Sequence, residues 1–550
     1  MSSALLPDPS EMEGAAPVPV RAELRQTSAT AKLVAEVAAP SKVMRHLISG
    51  TSALGLGVVI ERGAGFAANI LAARFGGLPT FGAYSFAIST ANNIATYAAA
   101  GIGSTAARFS GKYQHGSPGY ATLARVLSMV SLLSAFAAAL GLWLGAGPIA
   151  RLLGQQNLTG LLHWAALSAA GIVLLECARG FFVGQRRLGA LVLLSLIVGA
   201  GMLLLLPFAA WHHSPVRMII SQGALTVSAV LVCLVLARPL GLLSPPQTRE
   251  PTQEFRPMLR EVWGFGLVQL AGLVGSNVAG WWLITLVARS DRSMVQMGFF
   301  GVASQLRNIV GLAPSLLTEG SYAVMADPDG EGERTPQQVL GFTTFASSLV
   351  AVVLASLGII VAPWMLRLLY TSAFSSASVT VAVALALAVM HMGNAPASAR
   401  LSIVSIRASG VINTVWACFV AGAGTALMLH GGSAALAMVI YLVAHTVSSA
   451  LVLYVLARKN SLPDGLSLLF SVATGGTVVL AALAALRSAQ PDRTATITGG
   501  MLLLALSSLL LMLYLGRRYR WLPSGAAVIR LSHYLTDSFR SSLRRRFRDA

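Results

Sequence analysis

Several charged side chains stand well inside apolar stretches long enough to cross a bilayer, among them Glu61 beside Arg62, Glu176 close to Arg179, and Arg307 on its own. An ionisable group in the middle of a membrane helix costs roughly 2.5–3.5 kcal/mol on insertion scales, so such groups line a polar cavity or pair with one another. A guanidinium is a planar fork of N–H donors that matches the oxygens of a phosphate. Arg307, between Gln305 and Asn308, has no acidic residue within one helical turn. Arg62 and Arg307 are therefore the candidates for holding an anionic substrate, with structural pairing between helices as the alternative. Glu61 and Arg62 are neighbours and point about 100° apart on a helix, so each needs a partner elsewhere. Glu176 and Arg179 share one helix face and form either a structural ion pair or part of a site. Glu61 and Glu176 are the groups that could titrate in an ion-coupled step. Arg179 and the amides Asn92, Asn93 and Asn277 either line the same cavity or serve as contacts between helices.

The elements that must position these groups are membrane helices. The chain has 550 residues, of which 55% are hydrophobic and only 11% charged, and its mean hydropathy is +0.70. That composition excludes a set of ordinary water-soluble domains. A hydrocarbon core of ~30 Å needs about 20 apolar residues per helix. The apolar runs supply about fourteen spans, near 51–73, 81–102, 120–145, 160–183, 189–211, 215–237, 262–288, 298–323, 341–366, 377–398, 410–429, 433–456, 465–487 and 495–516. They are continuously apolar, where a membrane β-barrel would alternate.

The chain carries an internal duplication. Ala73-Arg74 followed by Gly82-x-Tyr84-x-x-Ala87 is echoed by Ala288-Arg289 followed by Gly298-x-Phe300-x-x-Ala303, each at a turn between two apolar segments. Two related bundles facing one another are the construction of many secondary transporters. The expected fold class is an all-α polytopic membrane protein of about fourteen transmembrane helices, in two pseudo-symmetric six-helix lobes plus two C-terminal helices. Its parts are a disordered cytoplasmic tail (1–43), an N-terminal lobe (44–238), a proline-rich cytoplasmic linker (239–260), a C-terminal lobe (261–457), two extra helices (458–516) and a basic amphipathic tail (517–550). In that tail Val528, Leu531, Leu535, Phe539, Leu543 and Phe547 recur at helical spacing among arginines, the pattern of a helix lying on an anionic leaflet. A solvated tail is the alternative.

The short loops hold about sixteen Lys and Arg on the side of the amino terminus against about eight on the other, which by the positive-inside rule places both termini in the cytoplasm. That bias accounts for most of the net charge of +19. No basic run is interleaved with base-stacking aromatics, so nucleic acid is not an expected partner. Cys177, Cys233 and Cys418 all fall in spans without CxxC spacing, which indicates neither a disulfide framework nor a zinc site. The start of the chain lacks the basic n-region and apolar core of a signal peptide. There is no phosphate-binding loop and no HExxH motif. Asp327-Pro328-Asp329 has the spacing by which some glycosyltransferases hold a metal, but its loop is too short for a sugar-nucleotide domain. No enzyme, metal or cofactor is expected.

The stretch from Leu71 to Ala87, reading Leu-Ala-Ala-Arg-Phe-Gly-Gly-Leu-Pro-Thr-Phe-Gly-Ala-Tyr-Ser-Phe-Ala, resembles the signature after the first helix of polysaccharide-export flippases. These form the Wzx-like branch of the multidrug/oligosaccharidyl-lipid/polysaccharide exporter superfamily. Further matches follow in order: Gly101-Ile102-Gly103 with Ala107-Arg108-Phe109, Gly184-Gln185-Arg186-Arg187, Phe300 through Pro314, and Leu369-Tyr370 with Phe374. The resemblance covers about residues 45–516. It implies a flippase that moves an undecaprenyl-diphosphate-linked oligosaccharide across a bacterial inner membrane, with two six-helix lobes around a cationic cavity. Arg62 and Arg307 sit where such cavities carry arginine. The implied partners are the lipid-linked oligosaccharide, membrane lipids, a polysaccharide polymerase and chain-length machinery. Where the family often has an aspartate near the end of the seventh helix, this chain has Ala279-Gly280-Trp281-Trp282, which puts ion coupling there in doubt.

The expected mechanism is alternating access by rocking of the lobes around a wet cationic cleft open sideways to lipid. A drug or cation exporter of the same superfamily is one competitor, and it would need an acidic cavity. A membrane-embedded polysaccharide polymerase or ligase is another, and it would show a long external loop. A scaffold for assembly partners would leave the buried charges without a purpose.

Overall fold

A computed structural model describes residues 42–99, 101–113, 117–238, 255–326, 336–429 and 431–521, with the backbone alone described at 42–54, 56, 265, 267–273, 323–324 and 326. The chain divides into two compact units, residues 1–52 with 538–550, and residues 53–537. Of the first, only the helical backbone of 42–52 is described; the site and its supports belong to the second. The expected tails before residue 42 and beyond 521, most of the linker, and Asp327-Pro328-Asp329 lie outside the described residues.

The described residues form fifteen α-helices and no strand. They are α1 (Lys42–Gly76), α2 (Leu78–Ala99), α3 (Ile102–Lys112), α4 (Pro118–Leu153), α5 (Leu158–Gly184), α6 (Leu188–Trp211), α7 (Pro215–Ala237), α8 (Phe255–Ser290), α9 (Val295–Ala326), α10 (Pro336–Leu369), α11 (Ser378–Val404), α12 (Ile406–Met428), α13 (Ala434–Arg458), α14 (Leu466–Ala489) and α15 (Thr494–Arg518). All fourteen expected spans lie on long helices. The added element is α3, an 11-residue helix set off by Gly101 at φ 70°. In lipid every backbone group must be satisfied within the segment, which is why continuous apolar runs become helices. The starts are written locally. Ser117, Ser214 and Ser433 each accept a bond from a backbone N–H of the first turn, at 3.2, 3.4 and 3.2 Å, and proline follows the first two.

Ten described helices, α4–α7 and α10–α15, are long and apolar enough to cross a membrane. The other four long helices are α1, α2, α8 and α9, the first two of each half, and they carry Glu61, Arg62, Asn92, Asn93, Asn277 and Arg307. The duplication thus places the polar helices in matching positions, and these helices meet. A Cβ on Gly82 of α2 would collide with the Met294 carbonyl and come within 2.8 Å of the Gly298 nitrogen. One on Gly298 would lie 2.8 Å from the Leu78 carbonyl oxygen. Only glycine permits backbones to approach this closely. The repeated glycines of the two halves are therefore the crossing point between them.

Further bonds tie the halves at that same end, where α1 turns into α2. Arg74 Nη1 donates to the Leu368 carbonyl at 2.9 Å, and the buried Gln155 amide to the Ala288 carbonyl at 3.2 Å. Toward the opposite end the halves meet through an exposed ion pair, Lys112 Nζ to Glu261 Oε1 at 3.5 Å. The extra helices α14 and α15 pack on the second half, against α10 and α11. Arg487, buried on α14, clamps that packing by donating to the Ile360 and Ile359 carbonyls at 2.8 and 3.3 Å.

Candidate functional site

Within the second half, α11 is the most enclosed of the apolar helices: 78% of its most apolar stretch is buried, against 22% for that of α15. Residues 381–390 are all buried, and then His391 is exposed. On a helix surrounded by α9, α10, α13 and α14, such exposure faces an internal space. One turn beyond Arg307, Gly311 lets α9 approach α11, where a Cβ would be 3.2 Å from the Met392 side chain. This crossing sets Arg307 beside His391. From α13, His445 stacks on His391 with ring centroids 4.9 Å apart and planes at 21°. Trp416 of α12 lies 5.3 Å from His445 and stacks on Tyr441 at 5.9 Å and 12°. Tyr441 is buried, its hydroxyl donates to the Gly280 carbonyl at 3.0 Å, and it lies within electrostatic reach of Arg307.

The result is a cup of donors. Arg307 makes no ion pair among the described residues, and the indole nitrogen of half-buried Trp416 is buried without a partner. Guanidinium, imidazole and indole groups lie together where no carboxylate stands among the described residues, which is the chemistry of an anion site. The stretch lacking the aspartate contributes only neutral groups: Gly280 accepts from Tyr441, Trp281 Nε1 donates to Thr90 Oγ1 at 3.2 Å, and Trp282 Nε1 to Thr425 Oγ1 at 2.8 Å.

The first half holds the acidic candidates, and they are already engaged. Arg179 Nη2 of α5 pairs with Glu61 Oε1 of α1, Ser195 Oγ of α6 donates to Glu61 Oε2 at 3.0 Å, and Arg179 Nη1 is 3.9 Å from Glu176 Oε1. Glu61 thus finds its partner away from Arg62, as adjacent helix positions require. The contact between Glu176 and Arg179 is the looser of the two, because the guanidinium turns toward α1. Arg62 is exposed and has no ion pair among the described residues. Of the amides, Asn93 bonds back to the Ser89 carbonyl at 3.1 Å, Asn92 is exposed and Asn277 half-buried. The structure does not gather these into one pocket with Arg307.

His391, Trp416, Tyr441 and His445 were not among the sequence candidates. Extending the rule for intramembrane ionisable groups to histidine would have singled out His163, His391 and His445. His163 stacks on Trp143 at 4.2 Å, away from this cluster.

A sequence profile of the family of polysaccharide biosynthesis proteins matches residues 47–318. The family resemblance read from the sequence is borne out. The EPS I polysaccharide export inner membrane protein of Ralstonia solanacearum is 26% identical over 296 residues, 52% of this chain and 65% of that relative's length. Among solved structures, the lipid II flippase MurJ in an inward closed conformation matches with a TM-score of 0.60 at 12% identity, over 85% of this chain and 98% of MurJ. An inward-facing MATE-family multidrug transporter of the MOP superfamily matches with 0.58 at 14% identity, over 74% and 98%. The fold resembles that of these two transporters, a multi-pass helical membrane protein.

Proposed function

We propose that this chain is a polysaccharide-export flippase that carries a lipid-linked oligosaccharide of the undecaprenyl-diphosphate type across the bacterial inner membrane. Both termini face the cytoplasm, in keeping with the loop charges. The observation that carries this reading is Arg307: a cation at membrane depth, unpaired among the described residues and ringed by further donors. The names of the two proteins agree with it, one relative being a polysaccharide export protein and the structural neighbour a lipid II flippase.

The physical task is to bring a polar headgroup through hydrocarbon while its lipid tail stays in oil. Arg307 holds the diphosphate in the bidentate fashion its geometry favours, and the lobes rock to expose the site to one side and then the other. Arg62, exposed on α1, contributes a second positive charge from the facing lobe. A cation or drug exporter would need a free carboxylate in the cleft; Glu61 and Glu176 both lie against Arg179, and Glu319 of α9 lies about three turns beyond Arg307 toward the end of the helix.

The test is export of polymer by cells carrying Arg307→Ala or Arg307→Lys, with membrane protein level measured alongside. Arg307→Ala is expected to abolish export at normal protein level, and Arg307→Lys, which keeps charge but loses the fork, to retain part of it. Normal export by Arg307→Ala would sink the assignment.

A further inference from the structure

We infer that the stacked His391–His445 pair makes the anion site proton-linked: a phosphoanion bound beside Arg307 draws protons onto these imidazoles, so its affinity rises as pH falls. The inference rests on the anion-binding reading above and adds the coupled ion, which that reading leaves open.

Two imidazoles with centroids 4.9 Å apart repel if both become charged, and the fixed charge of Arg307 acts on both in the same sense. The groups facing the pair are Arg307 from α9, Tyr441 from α13 and Trp416 from α12. The other neighbours bring no opposing charge, since the only charged side chain of α10 is Arg367 and that of α14 is Arg487, both in the last turn, and that of α12 is Arg407. On α11 itself Arg400 donates to the Met325 carbonyl at 2.6 Å. The one carboxylate of α9, Glu319, is exposed and lies well beyond Arg307 toward the end of the helix. In an empty site no described group beside the pair offsets an added positive charge. A diphosphate reverses the local sign, and imidazolium then gains both a partner and a donor.

Two further observations fit. His391 is exposed on an otherwise buried stretch of α11, as a group that exchanges protons must be. Trp416 packs 5.3 Å from His445, where an aromatic ring favours the charged imidazole. A metal site is the rival reading of a histidine pair, but no third His, Cys, Asp or Glu joins it among the described residues. Glu61 and Glu176, the carboxylates first expected to titrate, are held by Arg179 in the other half.

The experiment measures binding of a short-chain prenyl diphosphate to the purified full-length protein in detergent between pH 5.5 and 8.5. Proton uptake is read from binding enthalpies in buffers of different ionisation heat. Wild type is expected to bind about tenfold or more tightly at pH 5.5 than at 8.5, with net proton uptake. The prenyl diphosphate titrates too, so the comparison is with His391→Gln/His445→Gln. This variant should lose most of the pH dependence, its affinity at pH 5.5 falling toward the weak level that wild type shows at pH 8.5. A thermal melt guards against misfolding, and His445→Asn alone should give an intermediate profile. Arg307-dependent binding with the same pH profile in wild type and double variant overturns this inference and leaves the anion site standing. Binding that is absent, or indifferent to Arg307→Ala, overturns both.

Discussion

Glu61 on α1 is bound by Arg179 on α5, and the same guanidinium reaches toward Glu176 one turn away on its own helix. One cation thus serves two carboxylates, and Ser195 secures the remaining oxygen of Glu61 at 3.0 Å. The arrangement ties α1 to α5 and α6 deep in the first half. Arg307, in the second half, has no such counter-ion among the described residues.

The pair of Glu61 and Arg179 should behave as a structural clasp. Its side chains are 21% and 28% exposed, so breaking it costs less than breaking a fully buried pair, about 1–2 kcal/mol. Glu61→Gln and Arg179→Gln should each lower the melting temperature in detergent. The double variant should be less destabilised than the sum of the two. Strict additivity would show that the two groups do not interact.

The crossing of α2 and α9 should tolerate no side chain at either repeated glycine. Gly82→Ala and Gly298→Ala are each expected to destabilise by about 1–3 kcal/mol through overpacking against backbone and to impair export. Gly475→Ala on α14, where a Cβ meets nothing within 4 Å, is the control and should be neutral or slightly stabilising. Equal behaviour of all three would contradict the close approach.

The exposed pair Lys112–Glu261 bridges the two halves toward the end opposite the glycine crossing. Lys112→Cys with Glu261→Cys, in a background lacking the exposed Cys418, should be bridged by a bis-methanethiosulfonate spacer about as long as the two side chains it replaces, since a direct disulfide reaches less far. Transport should stop and return on reduction, as rocking lobes require. Undiminished transport by the bridged protein would rule out opening at that end.

Asp291, in the turn before α9, accepts bonds from the Ser293 hydroxyl at 2.6 Å and the Gln296 backbone at 2.9 Å. Burial alone would raise its pKa, but the bonds from Ser293, Gln296 and Val295 outweigh it and hold the carboxyl below its ordinary value. A depressed folded-state pKa stabilises above the ordinary carboxylate range and loses that contribution as pH falls through the lowered value. Asp291→Ala should cost about 1 kcal/mol at neutral pH, as losses of helix N-caps do. A thermal shift at pH 7 indistinguishable from wild type would remove the cap from consideration.

Much of this architecture was legible in the sequence, because apolar runs of about 20 residues have one solution in lipid and because the duplication announces the two halves. Helix α3 escaped notice: 11 residues of mixed polarity give no hydropathic signal. Arg307 was legible through its isolation from acids. Its companions were not, since His391, Trp416, Tyr441 and His445 come from three other helices, and the α9–α11 crossing at Gly311 is a property of packing. For the same reason the spacing of three pointed Arg179 toward Glu176, whereas the structure turns it to Glu61 across a helix interface.

Where Gly82 passes Gly298, main chain bears directly on main chain. A joint of that kind has no rotamers to rearrange and little water to shed when it turns. If the lobes rock as proposed, they would turn with least friction at the spot where they touch most intimately.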